Sequence, residues 1–176
     1  MPKITNKTIQ YRLKATNQSN VLTLIDDSSD LQLPSIEKLT DTLKGSGVMG
    51  ENDLPSYGQI GPMTLAINNR ADNAQYAMLS RPGEIKFEIV WAVDVFDSNA
   101  IRIGVQQHKV FLTGVSKKYD MGKIDVNAGA DGSSEFEVYY LRKIVDGKEV
   151  LLIDKFNFKY VVNGTDYMSE LRTALQ

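Results

Sequence analysis

Residues 134–154 read SEFEVYYLRKIVDGKEVLLID, and their first eight positions alternate polar and apolar side chains. This alternation is typical of a β-strand that buries one face. Asp146-Gly147 is typical of a two-residue hairpin turn, because both turn positions need a positive φ. The return strand is expected to run from Glu149 to Tyr160. The last third of the chain, residues 133–176, therefore predicts a closing hairpin followed by a helix.

The predicted helix begins after Asn163-Gly164, with Asn163 or Thr165 as its cap. Its apolar stripe would consist of Tyr167, Met168, Leu171 and Leu175. A helix of about eleven residues is not stable alone in water, so this stripe must pack on something. The sequence leaves open whether it covers its own sheet or a neighbouring subunit.

Composition limits the classes of function. The chain has 176 residues, which we interpret as a single domain spanning 1–176, and its formal net charge is −2. A charge near zero gives no electrostatic surface for holding nucleic acid. The absence of cysteine excludes disulfides, thiolate zinc sites and cysteine nucleophiles. Neither a secretory signal nor an 18-residue apolar run is present, so we expect folding in a cytoplasm and no membrane span.

The first part of the chain predicts further strands. Residues 8–14 alternate, with Ile9, Tyr11 and Leu13 expected inward, and 21–25 would form the hairpin partner. Residues 31–43 fit two alternatives: an amphipathic helix with Pro34 in its first turn, or an extended segment favoured by Thr40 and Thr42.

Residues 45–58 hold four glycines and a proline, which predicts a long loop without regular structure. No Walker lysine follows these glycines, so a nucleotide site is not predicted. Val48, Met49 and Leu54 are expected to be exposed here, which indicates a contact with another molecule.

The middle of the chain predicts a sheet. A strand at 62–69 precedes a short helical patch that ends before Pro82-Gly83. Residues 84–96 give the strongest strand signal, and 101–105 and 108–115 continue the sheet. Six apolar side chains line one face of the 84–96 strand: Ile85, Phe87, Ile89, Trp91, Val93 and Val95. We therefore predict a mainly β (α+β) antiparallel barrel or sandwich of eight to ten strands with one or two short helices.

No catalytic, cofactor or metal site is predicted. His108 is the single histidine and lies on an alternating strand, where a partly covered sheet residue is the simplest interpretation. The acidic turn at 26–30 lacks the glycine and distal glutamate of a calcium loop. Glu135 and Glu137 alternate on one strand face and are interpreted as its solvated side rather than a glycosidase pair.

Two motifs resemble the major tail tube protein of contractile-tailed phages and R-type bacteriocins. The first is LPSIEKL (33–39) followed by GSGVMG (45–50), similar to the family's LPK-type strand and GxGMxG-like loop but one residue longer. The second is VDGKEVLLID (145–154), then VNGTDY (162–167) and ELR (170–172), similar to the family's ending. Order and spacing agree over most of the chain.

This resemblance implies hexameric rings that stack into a hollow tube, with strands of each subunit joining a continuous inner barrel. It implies strand rather than helix for 33–43, which would pair with 61–68 in a long stacking hairpin at about 31–68. The tip would span 45–58 and reach the next ring. The expected ring-stacking residues are Gly45, Gly47, Val48, Met49, Gly50, Leu54 and Tyr57.

The resemblance also implies partners: further copies of the chain, the tail sheath, a baseplate or tube initiator, and the tape measure and terminator proteins. Assembly in the host cytoplasm would place the protein in the virion tail, where DNA passes without specific binding. An acidic or neutral lumen would not retain phosphates. Candidate lumen residues are Glu84, Glu88, Asp94, Glu135 and Glu137, although these carboxylates could equally serve only to solvate the sheet. The alternatives are a monomeric ligand-binding β-barrel, or the tube of a bacteriocin or type VI secretion-like machine.

Overall fold

The computed structural model describes residues 3–17, 20–22, 28–97 and 101–176. These residues form twelve strands and two short helices, and their strand pairings are antiparallel. The elements are β1 (Ile4–Asn17), β2 (Asn20–Leu22), β3 (Ser28–Gln32), β4 (Lys38–Lys44), β5 (Glu51–Ile60), β6 (Thr64–Asn69), α1 (Ala74–Leu79), β7 (Ile85–Phe96), β8 (Arg102–Asp120), β9 (Gly132–Val145), β10 (Lys148–Asp154), β11 (Lys159–Val162), β12 (Thr165–Asp166) and α2 (Ser169–Ala174). The prediction of a mainly antiparallel β fold is confirmed.

Strand β9 lies at the centre of the larger sheet because it is paired along both edges. β8 pairs with one edge, while β6 pairs with the first half of the other edge and β10 with the second half. The strand order β3-β6-β9-β8-β7-β1 bends around the core, and β10, β11 and β12 branch from the far half of β9. The Tyr11 hydroxyl of β1 donates to the Ser28 carbonyl of β3 at 2.9 Å, so the two ends of the bent sheet meet.

The core fills the concave side of this sheet. Phe87 of β7 and Phe136 of β9 pack with ring centroids 4.7 Å apart. Helix α1 covers them with Tyr76 and Leu79, both fully buried. The alternation predicted for β7 is confirmed, since five of its six inward positions are buried and Trp91 is half-buried.

Strand β1 departs from the simple alternation of its sequence. Leu13 is buried, but Ile9 is 50% exposed, so its predicted inward position is wrong. The pairing of β1 with β7 shifts register between Thr8 and Gln10. A bulge of this kind turns the residue within it away from the face that its number predicts. Of the partner strand expected at 21–25, the described part is in β2, and 23–25 lie outside the described residues.

The two helices are shorter than typical. α1 begins after Asn73, whose side-chain oxygen accepts from the Gln75 and Tyr76 amides and so caps the first turn. α2 covers only Ser169–Ala174, so Tyr167 and Met168 precede the helix and the predicted eleven-residue helix is wrong. Within the described residues, neither helix approaches the length and apolar character that crossing a membrane requires.

Residues 38–60 form a two-stranded sheet of their own, β4 with β5. The extended alternative for 38–44 is therefore correct, while the partner predicted at 61–68 is wrong, because β6 pairs with β3 and β9 instead. The unstructured loop predicted at 45–58 is also wrong, since β5 starts at Glu51. Pro55 is tolerated in β5 because both strands of this sheet are edges, and Gly58, with φ +72°, lies within a register shift.

The closing hairpin has the predicted turn. Asp146 and Gly147 both have positive φ and join β9 to β10. The return strand is shorter than expected, however, because a turn at 155–158 ends β10 and reverses the chain into β11. Phe158 takes a positive φ of 48° in that turn, which its bulky side chain did not predict.

The single histidine lies at the margin of the core. The His108 ring stacks on Trp91 at 5.1 Å, and its ε-nitrogen lies 3.1 Å from the Gln106 side-chain oxygen. Burial lowers the pKa of His108, and the nearby Lys143 ammonium lowers it further, while Asp146 partly opposes both effects. The prediction of a partly covered sheet residue is confirmed.

The tight crossing at Gly114 gives a stability prediction. A β-carbon there would lie 2.3 Å from the Glu137 carbonyl oxygen, at the register shift between β8 and β9. We expect Gly114→Ala to lower the free energy of unfolding by about 2–3 kcal/mol, as overpacking does. Gly104→Ala is the matched control on the same strand, where no atom lies within 4 Å, and we expect a change within about 0.5 kcal/mol. Urea unfolding measures the stability of both variants. An equal loss of stability in the two would contradict the conclusion that the close approach of Gly114 to β9 excludes a side chain.

His108 gives a prediction of pH dependence. Because its pKa in the folded chain is below 6.5, the unfolded chain binds the proton first as the pH falls. The free energy of unfolding should therefore decrease below about pH 6.5, and His108→Gln should remove this decrease. Urea unfolding at about pH 5.5 and 7.5 measures the difference.

Nuclear magnetic resonance provides the control for this titration, since the chain has one imidazole. The midpoint should lie below 6.5 and rise in Lys143→Met, which removes a cation that lowers the pKa. A midpoint at or above 6.5 in the unmodified chain would refute the assigned environment.

Candidate assembly surfaces

The β4–β5 hairpin projects from the rest of the fold with little cover. Every residue of β4 is exposed, as are most of β5. The turn that joins β4 to β5, residues 45–50, contains five of the seven residues predicted for ring stacking: Gly45, Gly47, Val48, Met49 and Gly50. Met49 is fully exposed, and Val48 donates its amide to the Gly45 carbonyl at 3.1 Å to form the tip turn. The predicted Leu54 and Tyr57 lie on β5 rather than in the loop.

The two faces of this hairpin differ in chemistry. On one face, the cross-strand pairs are polar: Thr42 donates to Asp53 at 2.7 Å, and Lys44 lies 3.6 Å from Glu51. The opposite face, which we call the apolar face, carries three leucines that are about half exposed, Leu39, Leu43 and Leu54, together with Asp41 and Asn52, which lie opposite Leu54 and Leu43. Isolated two-stranded hairpins are marginally stable in water. The apolar face is therefore a surface suited to burial against another chain.

The base of the hairpin is attached to the C-terminal segment. The Gly61 amide donates to the Glu37 carbonyl at 2.9 Å, and the Tyr57 hydroxyl donates to the Tyr167 carbonyl. Met168 packs against Gly58, where an added β-carbon would lie 2.8 Å from its sulfur. These contacts fix the direction in which the hairpin projects.

The four predicted helix-packing residues do not share one environment. Met168 is buried, and Leu171 is partly buried beside the hairpin base, so both pack within their own chain. Tyr167 and Leu175 are more than half exposed. The C-terminal turn is held by Arg172, which donates to the Phe158 carbonyl at 2.8 Å and to Asp166. The structure thus divides the predicted stripe into an internal pair and an exposed pair.

A groove of about 590 Å³ lies between β5 and the C-terminal segment. Its apolar lining includes Tyr57, Ile60, Phe158, Tyr160, Tyr167 and Met168, and Lys38 and Lys159 also line it. The Lys38 ammonium lies 5.9 Å from the centre of the Tyr160 ring. We refer to this feature below as the C-terminal groove. Sequence analysis missed it, because its walls come from segments about a hundred residues apart.

The five candidate lumen carboxylates lie on the convex side of the bent sheet, opposite the core. Each has a basic partner: Glu84 with Lys86 at 3.3 Å, Glu88 with Lys109 at 3.3 Å, Asp94 with Arg102 at 2.9 Å, Glu135 with Lys118 at 3.6 Å, and Glu137 with Lys117 at 3.4 Å and Lys155 at 3.7 Å. Sequence analysis identified the acids but not their pairing, which depends on strand register. The convex face is therefore a mixed-charge surface and not a uniformly acidic one.

Glu84 is held by an additional bond. The Tyr139 hydroxyl donates to its carboxylate at 2.7 Å, and this bond lowers the pKa of Glu84. Burial together with the same carboxylate raises the pKa of Tyr139 to about 12. Glu84 consequently stays ionised and Tyr139 stays protonated across the neutral range.

The described residues do not contain a cluster suited to metal. Within residues 3–17, 20–22, 28–97 and 101–176, no group of three or more His, Cys, Asp or Glu side chains could hold an ion. The acidic turn considered at 26–30 lies partly outside these residues.

Comparison with known proteins agrees with an assembly role. The sequence model of the family described as phage tail tube protein FII matches residues 16–175. The tail tube protein of Escherichia phage P2 is 24% identical over 157 residues, covering 82% of this chain and 84% of that protein.

A solved structure shares the fold. A chain in the cryo-EM structure of the anti-feeding prophage baseplate, 6-fold symmetrised, aligns with a TM-score of 0.50 and 15% identity. The alignment covers 77% of this chain and 92% of that one. Because the family match extends over nearly the whole chain, with strands and surfaces that fit it, the protein belongs to the phage tail tube protein FII family.

Proposed function

We propose that this chain is the major tail tube subunit of a contractile particle and that its copies form hexameric rings stacked into a hollow tube. The β4–β5 hairpin carries this proposal. It projects from the core and exposes Leu39, Leu43 and Leu54 on one face while its other face is polar. Burial of that apolar face against another copy would stabilise a hairpin that is marginal alone.

The hexameric ring is supported by two observations. The similar chain of the anti-feeding prophage belongs to a baseplate described as 6-fold symmetrised. In addition, the sheet ends in short edge strands, β2 at one end and β12 at the other. Open sheet edges invite pairing with further chains, and a ring of subunits removes them. Strands of neighbouring copies would thus continue into one inner barrel.

The single domain, 1–176, would act as one building block with two assembly parts. The first is the long stacking hairpin, whose arms pair as β3 with β6 at the base and β4 with β5 towards the tip. The second is the closing hairpin and helix at 133–176, which fixes the base of the first through Tyr57 and Met168. In this arrangement Val48 and Met49 contact the adjacent ring.

The tube would act mechanically, as a rigid conduit that a contracting sheath drives through a cell envelope. Its further partners would be the sheath, a baseplate initiator, the tape measure and the terminator, with assembly in the host cytoplasm before the subunit becomes part of the virion tail. A structural role, rather than catalysis, is what membership of the tail tube family supports. Bacteriocin and type VI secretion-like machines would use the same tube.

The first test removes the apolar tip. Met49→Asp should leave the free energy of unfolding unchanged within about 0.5 kcal/mol, because its side chain is fully exposed, but should prevent ring stacking. Negative-stain electron microscopy of the concentrated protein should show tubes for the unmodified chain and for the control Met49→Leu, and single rings for Met49→Asp.

Two results would count against these proposals separately. Normal tubes from Met49→Asp would remove the tip from the stacking contact. An unmodified chain that remains monomeric at every concentration would instead favour the alternative, a β-barrel that binds a small ligand in the C-terminal groove.

The second test concerns the lumen, which we propose is lined by the convex face with its paired carboxylates. Glu88→Lys would leave Lys109 without its acidic partner, Glu135→Lys would leave Lys118 with only Asp120 at 4.0 Å, and both substitutions add new cations. Phosphates bind such surfaces electrostatically. We expect virions with both substitutions to eject DNA several-fold more slowly at low salt, with the rate recovering as salt increases.

The matched control is Glu170→Lys, an exposed charge reversal on α2, away from the convex face. It should leave the ejection rate unchanged. Equal ejection rates in the double variant and the control would show that the carboxylates only solvate the sheet.

A further inference from the structure

The loop between β8 and β9, residues 121–131, exposes apolar side chains for which the fold provides no cover. Ile124 is fully exposed, Val126 is 93% exposed, and Met121 is 65% exposed. Residues 121–128 are all exposed. We refer to this segment as the apolar loop. Two branched apolar side chains, one residue apart and in nearly full contact with water, are unfavourable in a free subunit, so they mark a contact surface.

Hydrogen bonds hold the base of the apolar loop. The Lys123 amide donates to the Ala130 carbonyl at 2.8 Å, and the Ala130 amide donates to the Arg70 carbonyl at 2.8 Å. Gly122, with φ +78°, passes so close to Ala130 that an added β-carbon would lie 2.0 Å from its carbonyl oxygen. The loop therefore presents Ile124 and Val126 in a defined shape, which lowers the entropy cost of inserting them into a partner.

The C-terminal groove complements this loop in chemistry. It offers an apolar lining of aromatic rings, with Phe158 and Tyr57 at least half exposed. Its lysines, Lys38 and Lys159, make no ion pair with a carboxylate of the described residues. Asp125 lies between the two exposed apolar side chains of the loop and, among the described residues, accepts a hydrogen bond only from its own neighbour, the Val126 amide, at 2.8 Å. The other charged residues of the groove already have partners in their own chain, since Asp154 accepts from Asn157 and Lys155 lies 3.7 Å from Glu137. The loop, which also carries Lys123, thus offers two apolar groups and an acid to an apolar groove with two lysines that lack an ion pair within the described part of the chain.

The loop and the groove of one chain cannot meet. The apolar loop leads into Gly132, the first residue of β9. The groove residue Asp154 lies on β10 and pairs with Tyr140, which is further along β9. The distance from Gly132 to Tyr140 along β9 is roughly 26 Å. Each chain therefore carries one copy of each surface at separate places, so the groove of a second copy is open to the loop of the first.

We propose that the apolar loop of one subunit inserts Ile124 and Val126 into the C-terminal groove of a second copy, with Asp125 facing Lys38 and Lys159. Such a contact is heterologous, and repeated contacts of this type close into rings or extend into filaments. The inference rests on the proposed function, because it names a contact through which the tube subunits associate. It differs from the hairpin contact, which uses Met49 and the leucine face.

The absence of cysteine from the chain allows a direct test. Ile124→Cys and Phe158→Cys are made as separate variants, both at exposed positions that should not disturb folding. The two proteins are mixed, assembled and treated with a short bismaleimide. We expect cross-linked dimers in the mixture, identified by mass spectrometry as 124–158 links, and at least ten-fold less product from either variant alone.

Two further cysteine variants, each mixed with Phe158→Cys, distinguish the proposed loop–groove contact from other contacts. Lys148→Cys, at the exposed first residue of β10, replaces Ile124→Cys and should give no link to position 158. Met49→Cys tests whether the hairpin tip occupies the groove instead. A 49–158 link without a 124–158 link would overturn the inference and assign the groove to the hairpin.

The outcome is separable from that of the proposed function. Tubes or rings in the micrographs without a 124–158 link would refute the loop contact while leaving the tube subunit in place. A chain that gives neither assemblies nor the link would refute both. A charge test adds a second readout: Asp125→Lys should reduce the 124–158 link several-fold, and Lys159→Glu in the partner variant should restore it.

Discussion

The structure depends on β9 being hydrogen-bonded along both of its edges. β8 accompanies it on one side, while β6 and β10 divide the other side between them. Because of this division, β6 connects β9 to the bent core sheet, and β10 connects it to the C-terminal segment. The close passage of Gly114 against Glu137 allows the bend, because a side chain at that position would meet the backbone of β9. Phe136 and Val138 then point into the core from the middle of the sheet.

The surfaces that we propose for assembly are the apolar parts of the subunit that the core does not bury. The β4–β5 hairpin makes its own two-stranded sheet and places apolar side chains on a face that nothing in the subunit covers. The C-terminal segment holds the hairpin at its base through Tyr57 and Met168, and this attachment also forms the groove. One set of contacts therefore both directs the hairpin and forms the groove, which links the two proposed assembly surfaces physically.

Electrostatics supports the same interpretation of the convex face. Each candidate lumen carboxylate is paired with a lysine or arginine from an adjacent strand or its own strand. Exposed pairs of this kind contribute little to stability individually. Their effect on a passing polyanion is larger, because they leave few free cations to bind phosphates. The mixed-charge face therefore suits a conduit better than a binding site.

Local signals in the sequence were enough to predict the alternation of β7 and β9, the Asp146-Gly147 turn and the exposure of Met49. It also supplied the family motifs. Only the tertiary structure decided which strands pair, because register and bulges depend on backbone hydrogen bonds between distant segments. For that reason the alternation of β1 predicts the wrong face for Ile9. The glycines and Pro55 of residues 45–58 likewise predict a loop where β5 forms. The C-terminal groove and the ion pairs of Glu88, Asp94, Glu135 and Glu137 likewise depend on the fold, since each joins segments that only strand pairing brings together, whereas the Glu84–Lys86 pair is local in the chain.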